Sequence, residues 1–132
     1  MESARLAAVP LFSALEPAQL EALAQVASEV EAEPGRELAT QGDFGHALYA
    51  IESGTAEVSR DGEAVRTLGP GDVFGEVAVL QAGRRTATVV ATTELKLIAI
   101  FKRDVWTLEQ RSPETGERLR QLVADRLAGQ SS

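Results

Sequence analysis

The sequence predicts a mainly β body, of the sandwich, roll or barrel class, with one helix before it and two helices after it. Between residues 36 and 101, short strand-like runs are separated by glycine turns that recur about every 8–12 residues. Before and after this region, apolar residues recur at helical spacing instead. The length of 132 residues, with 44% hydrophobic and 25% charged residues, predicts a single globular domain with one core.

The N-terminal helix is predicted over about residues 10–32. Pro17 suits a first helical turn, and Glu33-Pro34-Gly35 is a stop signal. Between them runs an amphipathic stripe at i, i+3, i+7 and i+10, formed by Leu20, Leu23, Ala27 and Val30.

The β body is predicted over about residues 36–101. Asp61-Gly62 separates two strand-like runs, and because both residues tolerate positive φ, the pair predicts a tight β-hairpin. Leu38 falls in a short strand. Further strands are predicted over residues 47–51, 56–59, 65–68, 86–91 and 95–101.

Two helices are predicted over about residues 102–128. The first holds Val105 and Trp106, and the second starts at Ser112-Pro113, a cap followed by proline at the first helical position. One face of the second helix carries Leu119, Leu122, Val123, Arg126 and Leu127.

Composition excludes several classes of function. A formal net charge of -7 argues against nucleic acid or an anionic membrane as the main partner, and the chain has no cysteine for disulfides or thiolate metal sites. No apolar run approaches the ~20 residues of a membrane helix, and the N-terminus lacks a signal-peptide pattern. We therefore expect a soluble, cytoplasmic protein without a membrane segment of its own.

Residues 69–88 concentrate the groups with binding chemistry. A Gly-Pro-Gly-Asp turn leads through Phe74-Gly75-Glu76 to an apolar run, and a Gly-Arg-Arg-Thr corner starts the next strand. One carboxylate, two guanidiniums, a hydroxyl and glycine backbone within a short stretch suit a small anion that also carries hydroxyl groups.

This stretch resembles the phosphate-binding cassette of cyclic nucleotide-binding domains. The resemblance rests on Leu-Gly-Pro-Gly-Asp-Val-Phe-Gly-Glu at residues 68–76 followed by Arg-Thr-Ala-Thr at residues 85–88, and it extends over roughly residues 10–127. Such domains occur in catabolite-activator-type regulators, cyclic-nucleotide-dependent kinases and cyclic-nucleotide-gated channels. The resemblance implies a double-stranded β-helix (a jelly-roll-like β-roll), a cassette over residues 74–88, and cAMP or cGMP as ligand, with no other cofactor and no metal.

Residue by residue, the cassette assigns roles that the side chains can perform. Arg85 holds the cyclic phosphate with a planar fork of donors, and Glu76 accepts a ribose hydroxyl. Backbone near Gly75 approaches the ligand closely, and free N–H groups of a short turn face the anion. The full predicted ligand-binding set is Phe74, Gly75, Glu76, Val77, Ala78, Arg85, Thr86 and Ala87.

Each assignment has a plainer alternative. In the plainer interpretation, Arg85 is a surface arginine at the start of a strand. Glu76 then caps its own short helix, and Thr86 only favours the β conformation. Arg84 is interpreted as a solvated neighbour, at a position where many family members carry proline.

In the family the last helix closes over the base of the nucleotide as a lid. The candidate lid residues are Leu122, Val123 and Arg126, with Arg126 stacking on or hydrogen-bonding the purine. Their alternative role is contact with the core.

These observations favour a regulatory sensor over an enzyme. A cupin-like metal enzyme needs several converging histidines and carboxylates, whereas His46 is the single histidine. A DNA-binding regulator needs more than the roughly 30 residues that follow the last strand. A degenerate domain that acts as a protein-interaction scaffold without nucleotide is the remaining alternative. The output requires either a homodimer through the terminal helices or a separate effector protein.

Overall fold

Eight strands and four helices make up the described part of the chain, which in this computed structural model is residues 1–43, 46–76 and 87–130, without the side chains of residues 127–130. The helices are α1 (Ser3–Ala7), α2 (Pro17–Val26), α3 (Lys102–Arg111) and α4 (Pro113–Gln130). The strands are β1 (Ser28–Ala32), β2 (Glu37–Ala39), β3 (Ala47–Ser53), β4 (Ala56–Arg60), β5 (Glu63–Leu68), β6 (Val73–Phe74), β7 (Thr88–Ala91) and β8 (Leu95–Phe101).

The strands form two four-stranded antiparallel sheets. One has the order β1-β8-β3-β6 and the other the order β2-β7-β4-β5, so consecutive strands repeatedly cross from one sheet to the other. This arrangement confirms the predicted mainly β roll with helices before and after it.

The hairpin between β4 and β5 turns at Asp61 and Gly62, as the sequence predicts. Their φ angles are 54° and 83°. A two-residue type I′ hairpin turn requires such positive φ values at both central residues.

The predicted bounds of the N-terminal helix, about residues 10–32, are wrong. The helix α2 ends at Val26, and Ala27 is already extended with ψ 149°. Residues 28–32 form β1, in which Val30 pairs with Leu97 of β8, so the β body begins before residue 36. Val30 fits both a helical stripe and a strand, and its pairing with Leu97 on a distant strand decides between them.

The sheet that contains β3 and β8 is covered on both faces and separates two cores. On β8, Leu97 points into the space between the sheets, whereas Ile98 and Ile100 face the helices. The helical core combines apolar side chains from all four helices and the segment after α1, among them Leu6, Phe12, Leu23, Leu108 and Leu119, with Leu48, Ile98 and Ile100 of the sheet. Burial on both faces explains why β8 is almost continuously apolar rather than alternating.

The helices α3 and α4 meet at very close range. Ser112 alone separates them, and a Cβ added at Gly116 would lie 2.6 Å from Cγ and 3.2 Å from Cα of Glu109. Only a residue without a side chain permits this approach, which fixes how α4 crosses α3.

An ion cluster ties α1 to the β-roll. The guanidinium of Arg5 donates to both carboxylate oxygens of Glu52 on β3 and to Glu29 on β1. Hydrogen bonds to Glu52 and then to Glu29 raise the pKa of Arg5 above its ordinary value, and the guanidinium lowers the pKa of Glu29 below its ordinary value. The first helix is thereby attached to two strands of one sheet.

Candidate functional site

The turn at residues 69–72, which precedes the candidate site, is hydrogen-bonded to β3. Asp72 accepts the backbone N–H of Gly69 at 2.8 Å with its side chain. The N–H of Gly71 donates to the carbonyl of Ile51 at 2.8 Å, and the N–H of Ile51 donates back to the carbonyl of Asp72 at 2.9 Å. These bonds fix the position of the turn, and thereby of β6, which leads to the candidate site.

Phe74 and Gly75 orient the backbone at the end of β6. The Phe74 ring is buried between the sheets and stacks on Tyr49 of β3, with ring centroids 5.1 Å apart. Gly75 has φ 84°, a left-handed conformation that is strained for any residue with a side chain. This bend turns the chain out of the sheet and sets the direction of Glu76.

Glu76 is a carboxylate withdrawn from water. Its side chain is 9% exposed, and its Oε2 accepts a hydrogen bond from Nε of Arg126 at 3.2 Å. The same guanidinium makes a longer contact of 3.5 Å to the carbonyl of Val73. A nearly buried carboxylate is costly without a charged partner, so the arginine on α4 compensates it.

The three lid candidates lie in different environments. Val123 is fully buried in the helical core, and Leu122 is half-buried against that core. Arg126 lies one turn beyond Leu122 on α4 and reaches over to Glu76. Of the three, Arg126 is therefore the one whose side chain contacts a predicted site residue.

The remaining predicted residues divide into two groups. Ala87 is half-buried and packs against the core between the sheets. Val77, Ala78, Arg85 and Thr86, like Arg84, lie outside the residues that the structure describes. Among the described residues, the predicted ones that lie together are thus Phe74, Gly75 and Glu76, with Arg126 from the last helix.

Sequence reasoning missed two features of this site. It assigned Arg126 to the base and did not anticipate its pairing with Glu76, because the two residues are 50 positions apart and no local pattern links them. It also assigned no site role to Tyr49, although alternation along β3 places that side chain toward Phe74.

The described residues offer neither a metal site nor a membrane-spanning helix. In those ranges, no cluster of three or more histidine, cysteine, aspartate or glutamate side chains is arranged to hold a metal ion. The helices in the same ranges include none with the length and apolarity of a bilayer-spanning segment. The candidate site thus consists of a nearly buried carboxylate, paired with a partly exposed arginine, beside a glycine bend.

Comparison with known proteins gives concordant matches. Residues 29–112 match the family described as cyclic nucleotide-binding domain. The chain is 36% identical over 123 residues to a cyclic AMP receptor protein of Thermus thermophilus, covering 89% of this chain and 57% of that protein. It is 44% identical over 96 residues to a cAMP-dependent protein kinase regulatory subunit of Yarrowia lipolytica, covering 71% of this chain and 26% of that one.

A solved structure matches nearly end to end. It is the N-terminal domain of a transcriptional regulator from Streptomyces coelicolor, with a TM-score of 0.81, 33% sequence identity, and coverage of 96% of this chain and 94% of the other. The chain thus has the size of one domain of such a regulator, and it spans between about a quarter and three fifths of the two relatives above.

Proposed function

Because this chain belongs to the cyclic nucleotide-binding domain family, a regulatory family, we propose that it is a single sensor domain that binds cAMP or cGMP and catalyses no reaction. The nucleotide is its ligand, and a second copy of the chain or a separate effector protein reads the bound state. We place the protein in the cytoplasm, which accords with a sequence without cysteine.

The Glu76–Arg126 pair is the observation that best supports this proposal. Arg126 uses Oε2 of Glu76, and Oε1 has no hydrogen-bond partner among the residues that the structure describes. A carboxylate held in this way retains an acceptor for a ribose 2′-hydroxyl while its charge stays compensated. The pair therefore suits a site that reads a sugar hydroxyl.

The same pair provides the coupling between ligand and helix. Glu76 follows the glycine bend at the end of β6, whereas Arg126 lies on α4. A nucleotide that bonds to Glu76 changes the free energy of the Glu76–Arg126 contact, so it has different affinities for the domain with this contact formed and with it broken. In this mechanism Arg126 acts through the ribose-binding carboxylate, and Leu122, one turn earlier, approaches the base when α4 closes.

Arg85 completes the proposed site by neutralising the cyclic phosphate. Its guanidinium supplies paired donors in the planar geometry that phosphate oxygens accept. Removing such a partner typically costs ~2–5 kcal/mol, so Arg85→Ala is expected to weaken binding on the order of a hundredfold. Arg84→Ala is the matched control, because it removes the same charge from the adjacent position, and we expect little change.

Calorimetric titration with cAMP, cGMP and linear 5′-AMP tests the proposal. The wild-type chain should bind at least one cyclic nucleotide, prefer it to the linear one, and lose affinity in Arg85→Ala but not in Arg84→Ala. Absence of binding by nucleotide-free wild-type protein refutes the proposal and favours the scaffold alternative. Equal losses in the two arginine variants refute the assignment of Arg85.

A second titration isolates the role of Glu76. Replacing cAMP by 2′-deoxy-cAMP removes the hydroxyl that Glu76 is proposed to accept, and a hydrogen bond to a charged group contributes about 1.5–3 kcal/mol. The wild type should therefore bind the deoxy ligand at least about tenfold more weakly. Glu76→Ala should bind both ligands with similar affinity. A full deoxy penalty in Glu76→Ala would show that another group contacts the hydroxyl.

A further inference from the structure

The exposed face of α3 carries a tryptophan whose side chain lies outside the hydrophobic core. The Trp106 side chain is 65% exposed, and the only other strongly exposed large hydrophobic residue in the described ranges is Val65, at 52%. Tryptophan is a residue that normally buries most of its surface and contributes strongly when it does so at an interface. An exposed tryptophan on this helix therefore marks a candidate contact surface.

Polar and basic side chains surround this tryptophan. Lys102 and Gln110 lie one turn before and one turn after it, and Arg103 lies three residues before it, so all share its side of the helix. All three are exposed. We call these four residues, Lys102, Arg103, Trp106 and Gln110, the Trp106 patch.

The positive charge of the Trp106 patch is not cancelled by the described carboxylates around it. Lys102 and Arg103 form no ion pair with any described residue, although the Arg103 guanidinium lies 5.5 Å from the centre of the Phe101 ring. Glu109, at the margin, is held by Arg120 through both of its oxygens at 2.8 Å. The patch thus carries two basic side chains without an ion-pair partner among the described residues, with Asp104 as an adjacent carboxylate, on a chain of net charge -7.

A second carboxylate on α3 is also engaged within the fold. Asp104 accepts the backbone N–H of Phe101 at 3.0 Å and caps the start of the helix. Its side chain is therefore directed to the helix terminus.

We propose that the Trp106 patch binds an acidic segment of a partner protein that carries an aromatic or aliphatic side chain. The carboxylates of the segment would pair with Lys102 and Arg103, and its apolar side chain would cover the indole. Charge complementarity supports this occupant, because an acidic segment finds its opposite charge here, whereas the net charge of the chain disfavours unspecific binding of acidic proteins elsewhere. This surface goes beyond nucleotide binding and does not depend on it.

An anionic bilayer fits the same residues less well. A helix that lies on a membrane inserts a continuous apolar face. On α3 the apolar side chains Val105 and Leu108 are buried in the helical core, so Trp106 alone would remain to enter the lipid. The net charge of -7 also opposes approach to an anionic surface.

Selection from a random-sequence peptide library displayed on phage, against the immobilised chain, tests this inference. We expect enriched sequences to combine several aspartate or glutamate residues with a leucine or an aromatic residue. Because Trp106 is the single tryptophan, its fluorescence then gives the affinity of the best peptide directly. Absence of enrichment, or enrichment without acidic residues, overturns the inference.

Variants identify the surface that is bound. Fluorescein-labelled peptide titrated by anisotropy should bind Trp106→Ala and the double variant Lys102→Glu, Arg103→Glu at least about tenfold more weakly. Val65→Ala, which removes the other exposed hydrophobic side chain, is the matched control and should bind like the wild type. Unchanged circular dichroism shows that each variant is folded, and equal binding by all variants overturns the inference.

Two parallel measurements exclude the other occupants. Co-sedimentation with phosphatidylserine-containing vesicles that depends on Trp106 would replace the acidic segment by a membrane. Concentration-dependent self-association in analytical ultracentrifugation that is lost in Trp106→Ala would replace it by a second copy of this chain. Either result overturns the proposed partner, and we expect neither.

Discussion

The Glu76–Arg126 pair should contribute measurably to stability even without nucleotide. The perturbation is a double-mutant cycle of Glu76→Gln, Arg126→Met and the combined variant, in which glutamine keeps the size of Glu76 and methionine keeps the packing of the arginine stem. We expect Arg126→Met to be the more damaging single change, because it leaves a nearly buried carboxylate without its charged partner.

The magnitude follows from burial and geometry. Glu76 is 9% exposed, Arg126 is 28% exposed, and one hydrogen bond of 3.2 Å joins them. Exposed pairs contribute about 0.2–1 kcal/mol, and hydrogen bonds to charged groups contribute about 1.5–3 kcal/mol. Since one partner is shielded from water and the other only partly, we expect a coupling free energy of about 1.5 kcal/mol.

The assay is urea unfolding followed by far-UV circular dichroism on nucleotide-free protein. The same cycle on Glu109 and Arg120 is the control, because that pair has good geometry, with both oxygens at 2.8 Å, but is 32% and 47% exposed. Its coupling should not exceed about 0.5 kcal/mol. If the two cycles give equal coupling, burial does not strengthen the Glu76–Arg126 contact, and the proposed link between site and helix loses its physical basis.

Three further changes test the fold that positions the site. Gly116→Ala should lower the free energy of unfolding by about 1–2 kcal/mol in urea titration, because the new Cβ collides with α3. Gly69→Ala is the control and should be nearly neutral, since a Cβ at that position has no atom within 4 Å. A Gly116→Ala variant more stable than the wild type would contradict the close crossing. Gly54→Ala should lower the thermal midpoint of unfolding more than Gly62→Ala does. Both glycines have positive φ, but only a Cβ at Gly54 would lie 2.2 Å from a carbonyl oxygen. Equal decreases in the midpoint would exclude a steric cause. Glu29→Gln should be destabilised relative to wild type at neutral pH, and the difference should vanish as pH falls through the lowered pKa of Glu29, below the ordinary glutamate value; a pH-independent difference would show that its charge is not involved.

The fold was predictable where the determinants are local. Asp61 and Gly62 adopt the positive φ values that their residue types favour, and the cap and proline at Ser112-Pro113 start α4 where the sequence indicates. The helix boundary near Val26 was not predictable, because residues 28–32 become a strand only through pairing with β8, nearly seventy residues later.

The site divides in the same way. Phe74, Gly75 and Glu76 are contiguous, so the local motif predicts these three candidate residues together. The side of α4 that faces Glu76 depends on how the helix packs, and a shift of one residue exchanges Val123, which is in the core, for a neighbour that is not. Sequence periodicity defines the apolar stripe but not the docking angle that brings Arg126 to its partner.

The close crossing at Gly116 makes α4 a short lever with its fulcrum inside the protein. Ten residues, from 116 to 126, correspond to about 15 Å of helix, so a tilt of about 10° at the crossing would move the guanidinium of Arg126 by about 2.6 Å. The bond to Glu76 is 3.2 Å long, and a rotation this small is enough to break it. The contact between Glu76 and the last helix therefore depends on the packing at a crossing about 15 Å away, where a small rotation is amplified along the helix.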